Sequence, residues 1–195
     1  MSLRSHSLPN LAFSRSPETG SPATYTGSAE VDTLILADQA SSITISGLAA
    51  DDSIIVSGAA LAANALSDYK VYGNAGDDAL TVNAAQLSSS TVQGGAGDDA
   101  VTFIGNANAI GSVIRGGADD DTIQVGSSNQ STVNGNLGSD TLTITGNTFS
   151  SRIYGGAAAD TINIQATSST LSRYNGSKGA DTLAVTAAAN VTNSS

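Results

Sequence analysis

The chain has no cysteine and no tryptophan, a single histidine (His6), and only seven lysines and arginines in 195 residues. Without cysteine there is no disulfide framework and no thiolate metal site. With one histidine, near the amino terminus, no Ser/His/Asp relay or His/Glu metal constellation can be assembled. Aromatic residues make up 4%, too few for a wide globular core, so the interior is expected to be narrow and lined by modest side chains. No apolar run approaches a membrane span. Residues 1–20 carry basic residues but no apolar stretch of the kind a Sec-type secretion signal has. The scarcity of positive charge leaves a net charge of −10, which argues against nucleic acid as a partner.

What the chain has in quantity is glycine and aspartate in one arrangement, used eight times. Counting each opening glycine as position one, Asp stands at position six: Asp32 after Gly27, Asp52 after Gly47, Asp78 after Gly73, Asp99 after Gly94, Asp121 after Gly116, Asp140 after Gly135, Asp160 after Gly155 and Asp181 after Gly176. Successive glycines are 20, 26, 21, 22, 19, 20 and 21 residues apart. A period near twenty is that of a stacked solenoid, in which one repeat cannot bury a core alone.

Residues flanking the loops alternate with period two, the mark of half-buried strands. Two positions before each opening glycine stand Tyr25, Ile45, Val71, Val92, Ile114, Val133, Ile153 and Tyr174. Two and four positions after each Asp stand pairs such as Leu80 with Val82, Val101 with Phe103, and Ile123 with Val125. The expected fold is all-β, a parallel β-solenoid of about eight coils of about 20 residues with two strands per coil. An antiparallel sandwich is the rival, but it has no reason to repeat one turn chemistry in register. The solenoid occupies 21–195. A short insertion is expected at 57–68, where Ala59 to Leu66 is Ala- and Leu-rich enough for a turn or two of helix. Residues 1–20 form an extended amino-terminal anchoring arm.

Stacking the coils also stacks carboxylates. Thirteen aspartates and Glu30, of 17 acidic residues, lie inside the loops. Two unit charges about 5 Å apart repel by roughly 0.8 kcal/mol in water and about 3 kcal/mol at an effective dielectric of 20. A hard divalent cation held by carboxylate and carbonyl oxygens offsets that repulsion, and calcium tolerates irregular oxygen cages. The alternative is that these aspartates only cap turns by bonding the backbone.

Gly73-Asn74-Ala75-Gly76-Asp77-Asp78, Gly94-Gly95-Ala96-Gly97-Asp98-Asp99 and Gly116-Gly117-Ala118-Asp119-Asp120-Asp121, each followed by an alternating strand, resemble the loops of RTX (haemolysin-type) calcium-binding repeats. The resemblance covers roughly residues 21–188 and implies a parallel β-roll with calcium as cofactor, bridged between successive loops by Asp carboxylates and loop carbonyls. Carried onto this chain, it makes Asp78, Asp99, Asp121, Asp140, Gly73, Gly76, Gly94, Gly97 and Gly116 the candidate metal residues. Family repeats are nine residues long with a calcium turn on both edges. Here one loop per coil puts metal on at most one edge. The long, Ser/Thr/Ala-rich period also resembles repeat segments of marine bacterial surface proteins and of virion proteins of their phages.

The outward faces differ. After the loops the solvent-side residues are uncharged, Thr122, Thr141, Thr143 and Thr161 among them, a candidate packing face against another subunit or against ice. Before the loops stand Lys70, Tyr72, Arg115, Arg152, Tyr154 and Arg173, a face suited to a glycan or a protein partner, or simply solvated. In the arm, Arg4, Leu8, Leu11 and Phe13 are candidate contacts to the end coil or to a neighbouring chain. A glycosidase carboxylate pair is the one enzymatic alternative, and it lacks aromatic walls. Phosphate cradling is opposed by the loops' own charge. These features point to a non-enzymatic, calcium-stabilised structural protein of an extracellular assembly (a homo-oligomer or larger particle), foremost a virion decoration or fibre protein. The alternatives are a secreted or cell-surface RTX-type protein and an adhesin or glycan- or ice-binding module.

Overall fold

The computed structural model describes residues 14–16, 23–37, 42–57, 65–185 and 190–192. They form a parallel β-solenoid whose coils run through three sheets. Sheet A holds the strands that enter the loops, such as Lys70–Ala75, Thr91–Ala96 and Val113–Ala118. Sheet B holds the strands that leave them, such as Ala79–Asn83 and Ala100–Phe103. A third, sheet C, is made of two- and three-residue strands such as Gln86–Ser88 and Thr148–Phe149. The sheets contain nine, eight and seven strands respectively, giving about seven full turns. Two strands per coil is therefore corrected to three. Among the described residues there is one 3₁₀ turn, Ile104–Asn106, and no α-helix.

Pairing is in register, loop against loop and strand against strand. Val92 pairs with Val71 and Ile114, and Ile123 with Val101 and Leu142. In-register stacking puts each inward side chain on its counterpart one coil away, about 4.8 Å distant. The two apolar positions of sheet B and the one of sheet A thus become continuous columns, with Ile45, Val92, Ile114, Ile123, Leu142 and Ile153 completely buried. Each such side chain contributes about 1.5–3 kcal/mol of burial. The final coil departs from this pattern. Leu183 and Val185, expected inside, are 53% and 45% exposed, because no described strand of sheet B lies beyond Thr182–Val185 to cover them.

The interior of sheet C changes along the rod from Leu66 and Leu87 through Ala109 to Ser128, Thr148 and Ser169, all buried. The polar end is self-satisfied: Thr148 Oγ1, Ser169 Oγ and the Tyr174 hydroxyl lie 2.5–2.9 Å from one another. Where sheet C turns into sheet A, a buried serine ladder closes the corner. Ser90, Ser112, Ser131, Ser151 and Ser172 each accept, at 2.9–3.3 Å, the backbone N–H of the matching residue one coil earlier. Each hydroxyl donates to the carbonyl two residues before it.

Of the arm, Ser14–Ser16 forms a strand that pairs antiparallel with Ala23–Thr26 and covers the first edge of sheet A. Arg4, Leu8, Leu11 and Phe13 lie outside the described residues. So do residues 58–64 of the expected insertion. Its described end, Ala65–Ser67, is a strand of sheet C rather than helix.

Candidate metal centre

The loops join sheet A to sheet B, and their backbone explains their composition. From the second loop on, positions two and four have φ in the left-handed region: Asn74 and Gly76, Gly95 and Gly97, Asn136 and Gly138. Glycine occupies that region without penalty, and Asn tolerates it better than most residues. Loops with other residues at these positions keep the same conformation, with Leu48, Ala50, Ala158 and Ser177 at positive φ and a cost of order 1–3 kcal/mol at each. Position one needs glycine for another reason. A Cβ on Gly73, Gly94 or Gly116 would run into Oδ2 of the aspartate that closes the same loop.

That contact shows where the sixth-position carboxylates go. They turn inward: Asp52, Asp78, Asp99, Asp121, Asp140 and Asp160 are 1–2% exposed. Their two oxygens have separate fates. Oδ1 of each accepts the backbone N–H of the equivalent residue one coil earlier, Asp52 Oδ1 from Asp32 and Asp99 Oδ1 from Asp78 among them, at 2.7–2.9 Å. Oδ2 is buried without a hydrogen-bond partner in all six. The first loop differs. Its position two is not left-handed, and Ser28 donates from its backbone N–H and its hydroxyl to Asp32 Oδ2. Turn capping is thus realised at Asp32, whereas the column from Asp52 to Asp160 holds six oxygens that capping does not satisfy. Asp181, in the last loop, is exposed and accepts the Asp160 N–H at 3.1 Å.

An unpartnered carboxylate oxygen in a dry site is costly, and the titration behaviour reflects it. Burial raises Asp78 to about 6, Asp99 to about 7, Asp121 to about 8 and Asp140 to about 7. The backbone N–H bond opposes the rise and neighbouring carboxylates add to it. Asp52 and Asp160 are shifted in the same direction, also chiefly by burial.

Beside this inner column runs a second one that the Asp-Asp doublets encode and the sequence reading did not separate. At position five, Asp51, Asp77, Asp98 and Asp120 accept at 2.6–3.0 Å the N–H of the position-five residue one coil later. These donors are exposed, and the outer ladder points opposite to the inner one. The expected metal aspartates Asp78, Asp99, Asp121 and Asp140 do lie in one column, with Gly73, Gly94 and Gly116 packed against their carboxylates and Gly76 and Gly97 at the left-handed corner. Asp52 and Asp160 share their arrangement. Thr122, Thr141 and Thr161 form one row on the outward face of sheet B, with Thr143 in the next.

Among the described residues no three Asp, Glu, His or Cys side chains converge on one point. An ion here takes one or two carboxylates and completes its shell from backbone carbonyls and water, a donor set of oxygens alone that fits calcium. Residues 134–163, which hold the loops closing at Asp140 and Asp160, match the family model of the RTX calcium-binding nonapeptide repeat, with 4 copies. Residues 134–163 thus carry RTX-type repeats. Such repeats bind calcium, and the orphaned Oδ2 row is where residues of this chain could hold it. Neither the curated proteins nor the solved structures contain a match to the chain.

Proposed function

We propose that this chain is a non-enzymatic structural rod that calcium completes, acting as a component of an extracellular assembly, foremost as a virion decoration or fibre protein. The observation that carries the reading is the row of six buried, unpartnered carboxylate oxygens. Left ionised, they oppose stacking. Neutralised by calcium, which is abundant outside cells, they tie successive coils together. RTX proteins are typically secreted, in keeping with this RTX-type calcium-binding solenoid, and no helix among the described residues is long and apolar enough to cross a membrane. Assembly is supported by the ends. Among the described residues, sheet B ends in the strands Thr33–Ala37 and Thr182–Val185, with Leu183 and Val185 of the latter exposed, and edges of that kind template further pairing.

A second reading, a free secreted or cell-surface RTX-type calcium-binding protein, is favoured by the family match itself. Light scattering of the purified chain in millimolar calcium separates the two. The assembly reading expects particles larger than one chain, and expects deletion of residues 1–20 to leave a folded rod that no longer associates. A full-length chain that stays a single rod at all concentrations refutes assembly and leaves the second reading.

A further inference from the structure

Among the described residues, sheet A is the only sheet whose strands carry charge, and all of that charge is positive. Arg15, Lys70, Arg115, Arg152, Arg173 and Lys178, six of the chain's seven basic residues, lie in its nine strands, which contain no acidic residue. Lys70, Arg115, Arg152, Arg173 and Lys178 make no ion pair with any described residue. Cations scattered over the surface of a chain of net charge −10 would be expected to lean on its carboxylates. Here they stand apart from them.

Their order along the rod is regular. The outward row one strand position beyond the buried column reads Tyr72, Gln93, Arg115, Asn134, Tyr154 and Asn175, one residue per coil and paired in register. Lys70 and Arg152 flank the two tyrosines in their own strands, in the row beside that of Arg115, so from Lys70–Ala75 to Arg152–Ala157 a cation occurs on every second strand, and the next strand adds Arg173 and Lys178. An amide, Gln93 or Asn134, occupies the strand between. Two strand spacings are about 9.6 Å, comparable to the length of two linked pyranose rings. Alongside this ridge the next outward row reads Asn74, Gly95, Gly117, Asn136, Gly156 and Ser177, with glycines that leave dips beside the ridge. At the Tyr72 end an open hollow of about 300 Å³ lies between Tyr72, Asn74, Gln93, Gly94, Gly95 and Ala96.

From this alternation we infer that the outward face of sheet A between Tyr72 and Tyr154 binds a linear acidic polysaccharide carrying one anionic group per disaccharide. The tyrosine rings supply flat apolar surfaces for sugar faces. Gln93 both donates and accepts hydrogen bonds, as hydroxyl-rich rings require, whereas Asn134 is turned to its neighbour, its Nδ2 donating to Asn136 Oδ1 and its own Oδ1 buried. The cations on alternate strands meet the acidic groups, Arg115 at the centre. Duplex nucleic acid fits poorly, because its charge recurs about every 1.7 Å, far more closely than the cations on alternate strands. The inference does not depend on which assembly, if any, the rod enters.

Calorimetric titration of the full chain in calcium, with decasaccharides of hyaluronan and of unsulfated chondroitin as probes, tests it. At least one is expected to bind saturably, with affinity falling as salt rises. Arg115→Ala and Tyr154→Ala are each expected to weaken binding roughly tenfold, while Thr143→Ala on the opposite sheet leaves it unchanged. All three side chains point outward, and unaltered calcium-dependent melting of the variants shows the rod to be intact. Failure of both probes to bind overturns the inference. So does equal binding of inorganic polyphosphate with no effect of Tyr154→Ala, which would reveal plain ion exchange.

Discussion

Asp99→Asn separates the two tasks of the inner column, because it keeps one oxygen and removes the charge. The amide oxygen can still accept the Asp78 N–H that Asp99 Oδ1 accepts at 2.8 Å, so the ladder persists. Oδ2, which has no partner, becomes a neutral NH₂. Without calcium at pH 8, Asp99 is ionised against a carboxyl value raised from 3.8 to about 7. That shift corresponds to about 4 kcal/mol of opposition to folding as an upper limit, since coupled neighbours share it. An unpartnered buried amide returns about 1–3 kcal/mol of that. The variant is therefore expected to be more stable than the parent by about 1–3 kcal/mol in EDTA. In calcium the sign reverses. One site a hundredfold above its dissociation constant stabilises by about 2.7 kcal/mol, and Asp99 stands between Asp78 and Asp121, so a loss of about 3–5 kcal/mol is expected if two sites share it. Urea midpoints of parent and variant, each measured in EDTA and in millimolar calcium, should cross. Asp181→Asn, in the exposed last loop, should move both midpoints little. Equal destabilisation of Asp99→Asn in both media would refute the reasoning and leave the column as a hydrogen-bond ladder with no cation.

The metal-free rod should melt at a higher temperature at pH 5 than at pH 8. The folded carboxyls sit at about 6 to 8 and the unfolded ones near 3.8, so the stabilising protons are fully present below about 4 and are lost as pH rises through the folded values; a melting temperature that climbs with pH in EDTA would contradict the placement of these groups. Gly117→Val should destabilise by about 3 kcal/mol or more, since φ there is 155° and a Cβ would overlap the Gly95 carbonyl oxygen, whereas Gly111→Val, at φ 54° but with open space around it, should cost less; urea midpoints compare them. Ser112→Ala removes the acceptor of the buried Ser90 N–H and should cost about 1–3 kcal/mol, against a few tenths for Ser88→Ala at a half-buried position, as hydrogen exchange at Ser90 would register.

Sheets A and B were legible in the sequence because their strands are long enough for two or three apolar positions to alternate beside a loop of fixed register. Tyr25, Val92 and Ile153 before the loops, and Leu80, Phe103 and Ile164 after the aspartates, are all buried as the pattern requires. Sheet C was not legible. A strand such as Thr148–Phe149 is too short to alternate, and its inward residue drifts from leucine to serine, so neither period nor hydropathy marks it. The serine corner hides for a related reason, since Ser112 and Ser131 have the same composition as the exposed turns around them. The direction of the carboxylates was the more consequential omission. The left-handed backbone at positions two and four, which accompanies an unpartnered Oδ2 from Asp52 to Asp160, shows in the sequence only as a preference for Gly and Asn.

The two aspartate ladders bear on how the rod holds together. Inner carboxylates accept from the coil before them and outer ones from the coil after, so a central loop such as Gly94 to Asp99 is tied in both directions by side chain to backbone bonds. From Ser139 onward the outer position is Ser139, Ala159 and Ala180, and the carboxylate ladder at that position stops. The same later coils place Ala158 and Ser177 at positive φ, a strain the central Gly95 and Gly97 avoid. A stacked repeat has the stability of its coils plus their interfaces, so the rod is strongest from the third loop to the sixth. There the buried carboxylates are also most strongly shifted. Calcium held by that column would act on the segment whose stacking is otherwise best built, and its removal would turn the strongest part of the rod into the part under greatest electrostatic load.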